Sequence, residues 1–193
     1  MTKFTVVRAP VAKMLSGDLS GVSALDAADQ AGVAAGICKG RVTLKAVAGE
    51  AIRRYGPADV AISTWSNTGY WPAQALPWFE ANCTRRLRLA LRRGIGGLQP
   101  ALCAAVQARW GAGAILEVES HVEVALLDGD GWSLVATGSG CLEETGILEW
   151  WRVDRRPEVA AFWREWFDGL PAWSAVDAPA NGQRSLAEVV GSW

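Results

Sequence analysis

Between Thr43 and Ala136 the spacing of apolar residues switches repeatedly between the helical and the extended period, which leaves few architectures open. Thr43 suits the cap of a helix whose apolar face is Leu44, Val47, Ala48, Ala51 and Ile52, and Gly56-Pro57 ends it. Val60–Trp65 reads as a buried strand, Pro72–Asn82 as a short helix, Leu87–Leu91 as a strand and 98–110 as a helix carrying Leu102, Val106 and Trp110. Gly94–Gly97 is a loop. Strands are then expected at Ala114–Glu119, His121–Leu127 and Trp132–Ala136, the last two joined through Asp128-Gly129-Asp130-Gly131 as a hairpin. A strand at Ile147–Val153 and a helix from Pro157 to Phe167 follow. Upstream, the pattern is weaker: a β segment at Phe4–Val7 and an Ala-rich helical stretch at Ser23–Gln30. Strand–helix alternation predicts an α/β fold with a mixed, mostly parallel sheet flanked by helices, and the hairpin supplies its antiparallel part.

With 193 residues the chain suits one domain with a real core. We expect an N-terminal segment (1–39) packed on a domain at 40–169, then a Pro-, Ala- and Ser-rich tail at 170–193 that wraps the surface or docks Trp193. No apolar stretch is long enough for a membrane span, and Met1–Arg8 lacks a secretory leader's apolar run, so the expected location is cytoplasmic. Cys38, Cys83, Cys103 and Cys141 lack zinc-ribbon spacing and the chain has one histidine, so buried thiols are expected, with no metal and no cofactor.

Charge is divided unevenly. Residues 1–110 hold 14 Lys/Arg against 6 Asp/Glu, whereas 111–193 hold 5 against 14. The acidic part contains the one motif that carries chemistry: His121-Val122-Glu123-Val124-Ala125-Leu126-Leu127-Asp128, followed by Gly138-Ser139-Gly140-Cys141 and, later, Glu149. These two segments resemble the phospholipase D superfamily, whose signature is His-x-Lys-x4-Asp, then Gly-Ser-x-Asn and a later carboxylate. His121, Asp128, Gly138, Ser139 and Glu149 stand at family positions, while Glu123 replaces the lysine and Cys141 the asparagine. Gly56–Trp65 is similar to the first core strand of single-motif members, and Phe162-Trp163-Arg164-Glu165-Trp166 to their closing helix, so the resemblance spans roughly 40–168. Such members occur in bacteria and on phages and other mobile elements, which makes a virion or mobile-element assembly a second expected setting.

The resemblance implies phosphodiester cleavage through a phosphohistidine, in which one His attacks phosphorus, a second protonates the leaving oxygen, and Lys, Ser and Asn hold the phosphate. With one His per chain, activity implies a homodimer with two His121 side chains facing across a dyad. Glu123 argues against it. A carboxylate about 4 Å from a phosphate charge is repelled by roughly 4 kcal/mol at an effective dielectric of about 20. Losing a positioned donor such as the asparagine amide costs about 3–4 kcal/mol more. The expectation is therefore a degenerate, non-catalytic phospholipase-D-like protein with a binding or structural role, self-associating and engaging a protein partner or nucleic acid, with no membrane contact. The alternatives are an active homodimeric phosphodiesterase or nuclease, and an interaction subunit in which the old cleft has no role. A Cys141–His121 thiolate–imidazolium pair is a further nucleophile to weigh. The stronger reading is structural: His121 as a core histidine held by Glu123, Ser139 or a backbone carbonyl, and Cys141 as a small buried residue in a tight turn.

Two features stand outside the motif. Arg85-Arg86-Leu87-Arg88 with Arg92-Arg93 is the strongest basic run. Arg86 and Arg88 share a strand face, and Arg86, Arg88, Arg92 and Arg93 are candidates for phosphate or nucleic-acid contact, or simply a solvated strand edge. Eleven tryptophans include the adjacent pair Trp150-Trp151, which must point to opposite faces of a strand, so that both faces are covered or one ring is exposed. Trp163 and Trp166 share a helix face.

Overall fold

The computed structural model describes residues 12–15, 20–38, 42–64, 71–82, 85–92, 100–139 and 149–173. The expected strand at Phe4–Val7, the Gly94–Gly97 loop, and Trp65, Cys83, Arg93, Cys141 and Trp193 lie outside the described residues. In chain order the elements are β1 (Ala12–Leu15), α1 (Gly21–Ala31), β2 (Val33–Cys38), α2 (Leu44–Tyr55), β3 (Ala58–Thr64), α3 (Trp71–Asn82), β4 (Leu87–Arg92) and α4 (Pro100–Trp110). A 3-10 turn (Ala112–Ala114) leads into β5 (Ile115–Val118), β6 (Val124–Gly129), β7 (Trp132–Gly138), β8 (Glu149–Asp154) and α5 (Pro157–Asp168).

Local chemistry sets several of these boundaries. Ser20 caps α1 in a reciprocal capping box with Ser23, and Gly32 ends the helix at φ 76°. The Thr43 hydroxyl accepts from the Ala46 N–H at 3.0 Å to start α2, and Gly56 stops it at φ 94°. Pro157 opens α5, where its missing N–H costs nothing. The α1–α2 crossing is close: a Cβ on Gly21 would lie 2.9 Å from the Ala46 backbone.

The strands form one sheet in the order β1-β2-β8-β7-β6-β3-β4-β5. Among the described residues, β1–β2, β3–β4 and β4–β5 pair parallel, and β2–β8, β8–β7, β7–β6 and β6–β3 pair antiparallel. The sheet is mixed with antiparallel junctions in the majority, which corrects the mostly parallel sheet that the helix–strand alternation predicts. The reason is the second half of the chain. Among the described residues no crossover helix stands between β5 and β8, and β6, β7 and β8 pair antiparallel in a run between β3 and β2.

Side-chain alternation sorts the two faces. Ile62, Leu89, Leu127, Leu134 and Val153 pack with Ala24, Leu25, Val47, Ala48, Phe79 and Cys103 of the helix layer on one face. Ala61, Ala90, Leu126 and Val135 pack against Ala160 and Phe167 of α5 on the other. Both faces of β3 and β6 are covered at their centres, which is why these strands read as nearly unbroken apolar runs. Trp163 and Trp166 pack beside that second cluster with ring centroids 5.4 Å apart. Trp151 is buried, whereas Trp150 is half exposed on the opposite face, beside its register partner Ile37, also half exposed.

Two further differences from expectation have physical causes, and the start of the tail takes a defined place. Val33-Ala34-Ala35-Gly36-Ile37-Cys38 has little strand propensity of its own, yet it is an interior strand because β1 and β8 hydrogen-bond it from both sides. His121 and Val122 do not belong to β6, which begins at Val124: the Ser63 hydroxyl donates to the Val122 carbonyl at 2.8 Å, and Ser120 Oγ accepts from the Val122 N–H at 3.1 Å. The start of the tail docks on the sheet, since Glu117 N donates to Pro171 O and Trp173 N to Ile115 O, both at 2.9 Å, and Trp173 is buried.

Candidate functional site

The motif positions separate into two places. Strand pairing sets the start of β6 beside the end of β7, and the end of β7 beside the start of β8. The Gly138 N–H donates to Glu123 O at 3.3 Å, and the Ser139 N–H donates to Trp150 O at 3.1 Å. His121, Glu123, Ser139 and Glu149 therefore gather at one end of three adjacent strands. Asp128 stands at the other end of β6.

At the first end, His121 is exposed in the segment before β6 rather than on a strand, so the core-histidine alternative does not hold. Glu123 is buried, and so is Glu149, which pairs in register with Cys38. Ser139 is exposed, and its Oγ accepts from the Trp150 N–H at 3.1 Å, so this hydroxyl already serves the β7–β8 junction as an acceptor. Cys141 falls outside the described residues. Among those described, no group of three or more His, Cys, Asp or Glu side chains is arranged to hold a metal ion.

The basic run is divided as well. Arg86 and Arg88 share the α5 face at the amino end of β4, while Arg92 closes the carboxyl end of the same strand. Arg93 lies outside the described residues. Arg88 is buried, paired with Asp168 and positioned over the Phe167 ring at 5.5 Å. It is therefore not the solvated edge cation that the run of arginines allows for.

A cavity of about 600 Å³ opens where Arg86, Arg88 and Asp128 meet. Its floor is the sheet. Ser133, Asp128 and Asp59 are register partners across β7, β6 and β3, and Arg86 is the next step, its carbonyl accepting from the Val60 N–H at 2.8 Å. Neighbouring strands lie about 4.8 Å apart, so these four polar residues form a row across the floor. One step further in, the floor is Leu126, Ala61 and Arg88. Over it stand Arg155, Pro157, Arg164 and Asp168, from the β8–α5 turn and α5.

Ion pairs hold these walls. Arg164 grips Asp128 through Nε and Nη2 at 3.0 and 2.7 Å, and this carboxylate raises the Arg164 pKa. Arg155 pairs with Asp29 and stacks over Tyr55, with 4.3 Å between guanidinium and ring centroid. The turn carrying Arg155 is fixed by Asp154, whose Oδ1 accepts from the Arg156 N–H at 3.1 Å while both oxygens receive Arg152 or Arg156 side-chain bonds. Trp132 closes one rim, its ring lying over Gly129 so tightly that a Cβ there would sit 2.0 Å from the indole nitrogen.

Asp59, Ser133, Arg155, Arg164 and Asp168 are not conspicuous in the sequence. The one available signal is Asp59, a lone charge at the start of an otherwise apolar strand. Comparison with models of known families and with curated proteins finds no match for the chain. Among the described residues, no helix is long and apolar enough to cross a membrane.

Proposed function

We propose that the chain is a phospholipase-D-like protein that keeps the layout of that superfamily's catalytic end without its chemistry, and that it acts by binding. One observation supports this most: His121, Glu123, Ser139 and Glu149 converge at one end of β6–β7–β8, with a buried acid at the position where the superfamily has its lysine. A buried carboxylate opposes a phosphate more strongly than an exposed one, because less solvent screens it. The Ser139 hydroxyl is engaged by the Trp150 amide, so holding a phosphate oxygen there needs that contact rearranged.

The exposed apolar pair Ile37 and Trp150 favours a protein partner, a second copy included, over nucleic acid. Separation of Arg86 and Arg88 from Arg92 by the length of β4 breaks up the basic stripe that a nucleic-acid backbone needs.

Incubation with bis(p-nitrophenyl) phosphate and with DNA, with and without a chelator, tests the catalytic half of this proposal. We expect no turnover that depends on His121. Hydrolysis that persists in chelator and disappears in His121→Ala would instead favour the active homodimer. Retention on immobilised DNA at low salt, lost on replacing Arg86 and Arg92, would favour a nucleic-acid partner.

A further inference from the structure

Independently of the phospholipase-D-like proposal, we infer that the cavity at the amino ends of β3 and β4 binds a small phosphate ester whose carbon skeleton carries hydroxyl groups. It lies at the opposite end of β6 from His121, Glu123, Ser139 and Glu149, and of the motif positions it includes Asp128.

Four arginines, Arg86, Arg88, Arg155 and Arg164, are among the residues that line one space of about 600 Å³. A guanidinium is a planar fork of five N–H donors matched to the paired oxygens of a phosphate. The Arg88 fork is fixed before any ligand arrives by Asp168 and the Arg164 fork by Asp128, while the Arg155 guanidinium is held by Asp29 and the Tyr55 ring. Fixing them in advance lowers the ordering cost of binding. Each of these three uses one or two of its donor nitrogens in those bonds. Pro157 brings the positive end of the α5 dipole to the same wall.

The rest of the lining identifies the other half of the ligand. Asp59 and Asp128 are directly opposed in register on the floor, with Ser133 beside them. A site for a bare anion gains nothing from that pair of acids, since four arginines against three aspartates leave little net charge. Carboxylates and a hydroxyl are suitable partners for ligand O–H groups. The volume also exceeds what inorganic phosphate fills and falls within the roughly 300–1,000 Å³ of small-molecule sites.

Isothermal titration of the full chain with inorganic phosphate and with ribose 5-phosphate, at constant ionic strength, tests this. Both should bind saturably, with the sugar phosphate tighter. Arg86→Ala should weaken both by about tenfold or more, the loss of one charge-assisted contact, and Arg86→Lys should fall between because it keeps the charge and loses the fork. Asp59→Ala should remove the advantage of ribose 5-phosphate without weakening inorganic phosphate. Arg92→Ala and His121→Ala, both at the opposite end, should leave both affinities unchanged. The proposal is overturned by an absence of saturable binding for either probe. Affinities unmoved by Arg86→Ala in a folded protein, or lost in Arg92→Ala or His121→Ala, would overturn it equally.

Discussion

Asp154 is almost fully buried at the end of β8, and a carboxylate there requires cations close by. Burial pushes its pKa up, but the bonds from Arg156 and Arg152 pull harder, and the net result is a value below the ordinary one. The sign of the pH dependence follows. The stability contributed by the pair is complete above the unfolded value of about 3.9 and is lost as pH falls from there through the lowered folded value. Asp154→Asn should therefore cost about 1–3 kcal/mol at pH 7 in urea unfolding, and the gap to the parent chain should close at acid pH. Cys103 is the opposite case. It is fully buried among apolar side chains, and burial pushes its thiol up to about 11. Iodoacetamide at pH 8 should leave Cys103 unlabelled in the folded chain and label it in urea, as read by peptide mass. At this scale the sequence is a partial guide. The buried thiol follows from ordinary cysteine behaviour, but nothing local announces that Asp154 is a clamp, because its value depends on where the β8–α5 turn places Arg156.

Among the elements, those whose own periodicity matches their packing are the ones that sequence predicts well. Helix α2 begins at Thr43 and ends at Gly56 because cap and stop chemistry are both local, and β3 and α5 follow from apolar runs that face covered layers. Strand β2 is not legible, since Ala-Ala-Gly becomes extended only through the two neighbours that pair with it. His121 is misjudged for a similar reason: Val122 looks like a strand residue, but bonds from Ser63 and Ser120 hold it outside the ladder. Gly21 gives the element scale its sharpest test. The α1–α2 crossing leaves no room for a Cβ against the Ala46 backbone, and backbone cannot swing aside as a side chain does. Gly21→Ala should cost about 1–3 kcal/mol through overpacking, despite alanine's better helix propensity, and the measurement is the midpoint of chemical unfolding. Gly129→Ala should displace Trp132 from its tilted contact with Tyr55, whose ring centroid lies 5.2 Å away, and shift the near-ultraviolet circular dichroism without melting the sheet.

For the molecule as a whole, the α/β class was readable from alternation, whereas strand order was not. Order depends on where the meander β6–β7–β8 returns, and no residue pattern specifies a return between β3 and β2. The cavity was invisible for the same reason. Its lining comes from β3, β4, β6, β7, the β8–α5 turn and α5, and only the topology makes Asp59 a neighbour of Asp128, or Arg88 of Asp168. One arrangement at the margin of this sheet has an outcome of its own. Pro171–Trp173 runs along β5, taking up the outward amide of Glu117 and the carbonyl of Ile115. A chain stopped at Leu170 should therefore bare a sticky border, and light scattering should reveal stacking of molecules that grows with concentration and that the full-length protein resists.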